Sequence, residues 1–150
     1  MSALKWVGVV VLVPVAIVAG MFIKNKMAGP VGWAKDNVET ALSLQMKDPD
    51  SMVIRSSFVV SRRNGHVLEV SICGFVDGRN GFGAYSGPMR FASNSVSNGR
   101  LRTFQTNLVK VENPMETKQA HDVNMLSGFE EAYWNKYCVD SEHPALTVNN

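Results

Sequence analysis

The most marked pattern along the chain is an apolar run at its start. Trp6 to Ile23, WVGVVVLVPVAIVAGMFI, continues for 18 residues without a charge. Lys5 bounds it on one side, Lys24 and Lys26 on the other. As a helix the run reaches roughly 27 Å, against a hydrocarbon thickness of about 30 Å. Trp6 and Phe22 sit near its ends, where aromatics favour the interface, and the lysines are placed to snorkel outward. The pattern predicts a retained transmembrane anchor at 6–23, after a short flank at 1–5. Two readings compete. Val18-Ala19-Gly20 offers small residues for signal-peptide cleavage, but apolar Met21-Phe22-Ile23 and two lysines follow. A buried core helix would be apolar on every side, which a chain of 150 residues hardly covers.

Met27-Ala28-Gly29-Pro30 reads as the end of a linker over 24–30. Trp33, Val38, Ala41, Leu42 and Met46 then recur at helical spacing, predicting an amphipathic helix from about Gly32 to Met46. Asp48-Pro49-Asp50-Ser51 stops it, because a residue before proline avoids helical geometry. The middle of the chain is strand-like. Met52–Arg62 is rich in β-branched residues, and Arg63-Asn64-Gly65 supplies a hairpin turn. His66–Val76 alternates: Val67, Glu69, Ser71 and Cys73 face one way, Leu68, Val70, Ile72 and Gly74 the other. A glycine-rich loop precedes a third strand at Pro88–Val96. Ser97-Asn98-Gly99 turns the chain into a fourth at Arg100–Val111. After Pro114, Met125, Phe129, Tyr133 and Tyr137 step by four residues and predict a C-terminal helix with a broad aromatic face. The tail, 141–150, is polar.

The expected fold is therefore α+β: an N-terminal transmembrane helix, a helix, a four-stranded antiparallel sheet and a C-terminal helix. Residues 31–140 form one domain, with a core of Trp33, Leu42, Phe129, Tyr133 and Tyr137 against Leu68, Val70 and Ile72.

Composition adds little to this. Apolar residues make up 45% and charged residues 19%, which excludes a disordered chain and a polytopic membrane protein. A net charge of +2 does not make nucleic acid the first partner to consider. The distribution says more. Residues 51–110 carry eight basic and two acidic side chains, whereas 111–150 carry two basic and seven acidic. Either the acidic end docks near the basic sheet, or an exposed face of Arg55, Arg62, Arg63, Arg100 and Arg102 meets an anion.

The cysteines number two, and neither has zinc-site spacing. Cys73 falls on the second strand and Cys138 at the end of the C-terminal helix. In an exported domain they form one disulfide tying helix to sheet; in a cytosolic domain they stay buried and reduced. The first reading places the folded part in the periplasm, although Lys24 and Lys26 outnumber Lys5 and a strict positive-inside count points the other way.

Catalytic patterns are not found. Gly74–Gly87 holds five glycines in fourteen residues, yet Ser86 stands where G-x-G-x-x-G needs its last glycine. No Gly-Lys-Ser/Thr follows either. The segment reads as a long hairpin connection, whose Phe82 and Tyr85 either pack on the sheet or stand out for recognition. His66, His121 and His143 read as surface residues, and Glu130-Glu131 as a solvated helix face. No cofactor and no metal is expected.

Asp48-Pro49-Asp50-Ser51, Cys73-Gly74, Asn80, Phe82-Gly83, Tyr85, Gly87, Arg90-Phe91, Trp134 and Cys138 together resemble a family of short exported proteins of Gram-negative bacteria and their phages. The likeness covers roughly Val38 to Cys138. That family often has Asn where this chain has Asp77, and here no lipobox cysteine is present. The resemblance implies a cell-envelope location and the disulfide, and it carries no catalytic residues.

The expectation is a non-enzymatic, membrane-anchored periplasmic interaction module at the inner membrane lipid bilayer. It would serve an envelope protein complex, or act as a phage- or prophage-encoded envelope factor such as one for superinfection exclusion, with homo-oligomers allowed. Asn80, Phe82, Tyr85 and Arg90 are its candidate contact residues. The alternatives are an anion-binding module for anionic lipid or nucleic acid, and a small envelope hydrolase or redox protein.

Overall fold

A computed structural model describes residues 29–148. Helix α1 (Gly29–Gln45) and a 3-10 turn (Pro49–Ser51) lead into four strands. These are β1 (Val53–Asn64), β2 (Val67–Asp77), β3 (Met89–Asn98) and β4 (Thr103–Val111). They form one antiparallel sheet in the order β1-β2-β3-β4. Helix α2 (Pro114–Asp122) comes next, then a π-helical turn (Glu130–Trp134) that runs into a short helix α3 (Asn135–Tyr137).

Among the described residues, no helix is long and apolar enough to cross a membrane. This corrects the expected transmembrane architecture and the single-pass inner-membrane location drawn from it. The span expected at Trp6–Ile23 lies outside the described residues. The expected linker is also shortened, since α1 already begins at Gly29-Pro30. Proline suits a first helical turn, where its fixed φ is helical and no N–H is needed.

The sheet is covered on both faces, and this too departs from the single core expected. Ala34, Val38 and Leu42 of α1 lie one helical turn apart and pack on Val70, Ile72, Val76 and Phe91. Trp33 meets the Phe104 ring edge-on at 5.5 Å. On the opposite face, Cys73, Ala92, Trp134 and Cys138 are buried, with Phe58, Phe129, Tyr133 and Tyr137 around them. The reason is the two-residue period of a strand: Ile72 and Cys73 are neighbours in sequence and point to opposite faces. Each large side chain buried this way contributes about 1.5–3 kcal/mol.

The hairpin turns use local chemistry. Gly65 takes φ +55 as the first of two loop residues between Asn64 and Val67. The Asn98 side-chain oxygen accepts from the Arg100 and Leu101 N–H groups, which shapes the turn into β4. The Gly99 N–H donates to the His66 carbonyl at 2.9 Å, joining the two turns at one end of the sheet.

Gly74 is required by close approach. The β1–β2 register shifts between Ile54 and Ser56, and the bulged strand bends over Gly74. A Cβ there would lie 2.1 Å from the Ser56 carbonyl oxygen and 2.8 Å from the Ser57 Cα. Both are backbone atoms, so no side-chain rotation relieves the clash.

The C-terminal third corrects the single aromatic helix expected. Asn113 caps α2: its side-chain oxygen accepts from the Met115 N–H at 3.1 Å and its amide donates to Glu116 at 2.9 Å. Asn124, at φ 56, turns the chain after α2. A capping box then starts the next helical segment. The Ser127 N–H donates to Glu130 at 2.9 Å, and the Glu130 N–H donates to the Ser127 hydroxyl at 3.2 Å. Met125 precedes that cap and is 61% exposed, so its place in the four-residue periodicity is fortuitous. Beyond α3 the chain keeps contacts of its own. Leu146 and Asn135 exchange two hydrogen bonds, and the His143 ring stacks on Phe58 at 3.7 Å.

The disulfide is present: Cys73 of β2 is bonded to Cys138 just after α3, with their Cα atoms 5.8 Å apart. Across a sequence separation of 65 residues, the chain-entropy model assigns it about 4 kcal/mol. Reduction, or Cys73→Ser with Cys138→Ser, is therefore expected to lower the unfolding free energy by about that amount. Guanidinium titrations with and without reductant read this directly, and coincident curves would remove the disulfide as a main support. Gly74→Ala is expected to cost about 1–3 kcal/mol in the same assay.

Candidate functional site

The β2–β3 connection, 78–88, is organised by one side chain. The Asn80 side-chain oxygen accepts from the Phe82 N–H at 2.9 Å and the Ala84 N–H at 3.2 Å. The Asn80 N–H donates to the Ala84 carbonyl at 2.8 Å, and the Gly83 N–H to the Asn80 carbonyl at 3.0 Å. Gly83 takes φ +81, which a residue with a Cβ rarely adopts. The result is a small closed turn on which Phe82 stands 98% exposed.

The base of the loop is clamped as well. Arg79 and Tyr85 form an isolated antiparallel bridge, and the Ser86 N–H donates to the Gly78 carbonyl at 3.1 Å. The Tyr85 ring has the Arg55 guanidinium 5.3 Å from its centroid and the Arg79 guanidinium at 5.7 Å. Arg55 also pairs with Asp77 at 2.9 Å, and the other Asp77 oxygen accepts from the Gly78 N–H at 2.9 Å. The charged Arg55–Asp77 pair is one that an asparagine at 77 would not supply.

Arg90 does not belong to that surface. Its side chain is 15% exposed and lies between two carboxylates. Its Nε donates to Glu112 at 2.8 Å, and a terminal nitrogen donates to Glu130 at 2.8 Å. The guanidinium also lies 5.5 Å from the Trp134 ring centroid. Glu130, read from sequence as part of a solvated face, is 2% exposed. His121 reaches it from α2, its Nε2 lying 2.8 Å from a Glu130 oxygen. Burial alone pushes the Glu130 carboxyl up. The Ser127 N–H, Arg90 and His121 outweigh that and hold it down at about 2. Burial likewise opposes ionisation of Glu112, and the hydrogen bonds and charge of Arg90 together with a hydrogen bond from Thr117 outweigh it, leaving that carboxyl below its ordinary value. The sequence signal for this cluster was Ser127-x-x-Glu130, a capping pattern that fixes where Glu130 points.

The five arginines expected to form one anion-binding face are divided. Arg55 is held by Asp77 and Tyr85. Arg62 donates to the carbonyls of Lys136 at 3.2 Å and Val139 at 2.9 Å, closing the end of α3. Arg63, Arg100 and Arg102 remain exposed at the hairpin-turn end of the sheet, and none pairs with a carboxylate among the described residues. That end is opposite the Phe82 loop.

No family model, curated protein or solved structure matches the chain. The resemblance drawn from Asp48-Pro49-Asp50-Ser51, Cys73-Gly74, the residues between Asn80 and Phe91, Trp134 and Cys138 therefore rests on those residues alone.

Glu130 makes stability depend on pH. Its folded value, about 2, lies below its ordinary 4.5, so the carboxylate's contribution is complete above pH 4.5. It is lost as pH falls through that interval toward 2. The shift corresponds to about 3 kcal/mol. Urea melts from pH 7 to pH 2 are expected to show the loss, and Glu130→Gln to flatten that part of the profile. An unchanged profile in the variant would reject the assignment.

Proposed function

We propose that the chain is a non-enzymatic protein–protein interaction module for an oxidising compartment, with the 78–88 loop as its contact surface. The observation that carries this is Phe82, 98% exposed on a turn whose backbone is bonded in place by Asn80. A large aromatic left in water on an ordered loop contributes nothing to the fold and loses little conformational entropy when a partner covers it. The buried ionic cluster, by contrast, is occupied with structure. Both Glu130 oxygens and the Arg90 guanidinium are taken up by partners that join β3, α2 and the C-terminal helical segment. The disulfide supports the compartment, because such bonds persist where thiols are not kept reduced.

A second reading, binding of a phosphate-bearing polyanion, is favoured by Arg63, Arg100 and Arg102 on turns that are hydrogen-bonded to each other. It predicts retention on a phosphate-rich matrix that weakens steeply with salt and falls in Arg100→Ala with Arg102→Ala.

For the principal reading, a photo-crosslinking phenylalanine analogue is placed at 82 in the full chain. A control analogue is placed at Leu44, which is 77% exposed on α1. The expected outcome is one recurrent adduct from position 82 only. Phe82→Ala should weaken co-purification of that partner by about 30-fold, as for a hot spot of about 2 kcal/mol, without moving the unfolding midpoint. The same adducts from both positions, or capture unaffected by Phe82→Ala, would refute the assignment.

A further inference from the structure

Beside the Phe82 loop lies a cleft that the exposed ring itself does not fill. Its volume is about 260 Å³, room for roughly one large side chain. The end of α1 supplies one wall and the base of the loop the other, with Met89 and Val111 of the sheet between them. Met46, Met89 and Val111 make its apolar part, and the two thioethers are flexible, polarisable groups that adapt to varied side chains. Gly78 borders it closely: a Cβ at that position would lie 2.9 Å from the Met46 sulfur and displace that flexible side chain.

The rim of the cleft has one sign of charge. Lys47 and Arg79 line it, both are exposed, and no acidic side chain is among the lining residues. Neither cation is in an ion pair among the described residues. Asp77, the last residue of β2 and two positions before Arg79, is already held by Arg55 at 2.9 Å. Arg79 is also positioned by its backbone: its N–H donates to the buried Ser51 hydroxyl at 2.8 Å, and its guanidinium rests against the Tyr85 ring. The cation at the rim therefore starts from a fixed point on the loop rather than from a free end of chain.

We infer that this cleft binds an acidic–apolar polypeptide segment of the partner, seating one apolar side chain on the Met46–Met89–Val111 surface with an adjacent carboxylate against Lys47 and Arg79. The inference rests on the loop reading and specifies its partner. Phe82 provides apolar contact next to the cleft, and the two cations select the charge of the residue adjoining the seated side chain. Electrostatic complementarity of this kind chooses among partners and speeds encounter more than it adds affinity. A basic segment would be rejected, because like charge would be brought against the rim.

The test uses the full-length protein, oxidised, and three fluorescein-labelled 12-residue peptides. In the first, leucines are flanked by aspartates; in the second, lysines replace the aspartates; in the third, serines replace the leucines. Fluorescence anisotropy is expected to show the Asp/Leu peptide binding at least tenfold more tightly than either control, and more weakly as salt rises. Lys47→Glu with Arg79→Glu should lower that affinity at least tenfold, and Lys47→Gln with Arg79→Gln by less. Both substitutions are at exposed side chains, and an unchanged unfolding midpoint confirms that the variants fold. Equal binding of the three peptides, no binding of the Asp/Leu peptide, or binding retained by the Glu variant overturns the inference. Partner capture through Phe82 that survives the Glu substitutions would refute the cleft assignment while leaving the loop reading intact. Peptide binding that survives Phe82→Ala, with no partner captured at 82, would uphold the cleft and refute the loop.

Discussion

The covalent link between Cys73 and Cys138 joins the centre of the sheet to the end of the last helix, and the opposite face of the molecule needs no such link. The difference lies in what each face buries. On one side α1 contributes a regular row of side chains to a continuous apolar core with Phe91 and Val70 fully buried. On the other side the cover is a π-helical turn, one short helix and a terminal segment. Segments that short are marginal as helices in isolation. The disulfide shortens the excursions open to the unfolded chain, and Trp134, Phe129 and Tyr137 then pack where the bond holds them.

Charge completes the attachment of that layer. Arg90 projects from β3 toward the same face as Ala92 and meets a carboxylate from just beyond β4, Glu112, and one from the C-terminal segment, Glu130. A buried arginine with one partner removed would be strongly destabilising, so the three groups are mutually required. Arg62 adds a second tie by closing the carbonyl end of α3. Arg90 thus meets acidic groups of the C-terminal third, Arg62 meets its backbone carbonyls, and Arg55 is held by Asp77 of β2.

With those arginines occupied, the molecule has two ends of different character. The hairpin turns carry Arg63, Arg100 and Arg102 near the start of α1, where Trp33 meets Phe104. The long connection at the other end carries Phe82 and the methionine-floored cleft beside the end of α1. An aromatic on a rigid turn and an adaptable apolar pocket under a cationic rim are complementary means of recognition. One supplies contact area and the other supplies selectivity.

Much of this molecule was legible along the chain because it depends on near neighbours. The four strands follow from β-branched alternation and from turns at Gly65 and Gly99, and α1 from residues at helical spacing. The prominence of the glycine-rich connection was also visible, since glycine is needed at the positive φ of Gly83. Local pattern misled where two signals overlapped. Met125 continues the step of Phe129 and Tyr133, but Ser127 and Glu130 set the cap that starts the helix later. The apolar run at Trp6–Ile23 predicted a membrane span, and no described helix has that length and character. Only the tertiary structure decided which arginines are free, because Arg55, Arg62 and Arg90 find partners 22 to 77 positions away. It alone decided that Glu130 is buried, that the sheet has two cores, and that Lys47 and Arg79 face one cleft. Periodicity assigns a side chain to a face of its own element. What covers that face is set by packing between elements distant in sequence, and that packing determines burial, charge pairing and the surface left for a partner.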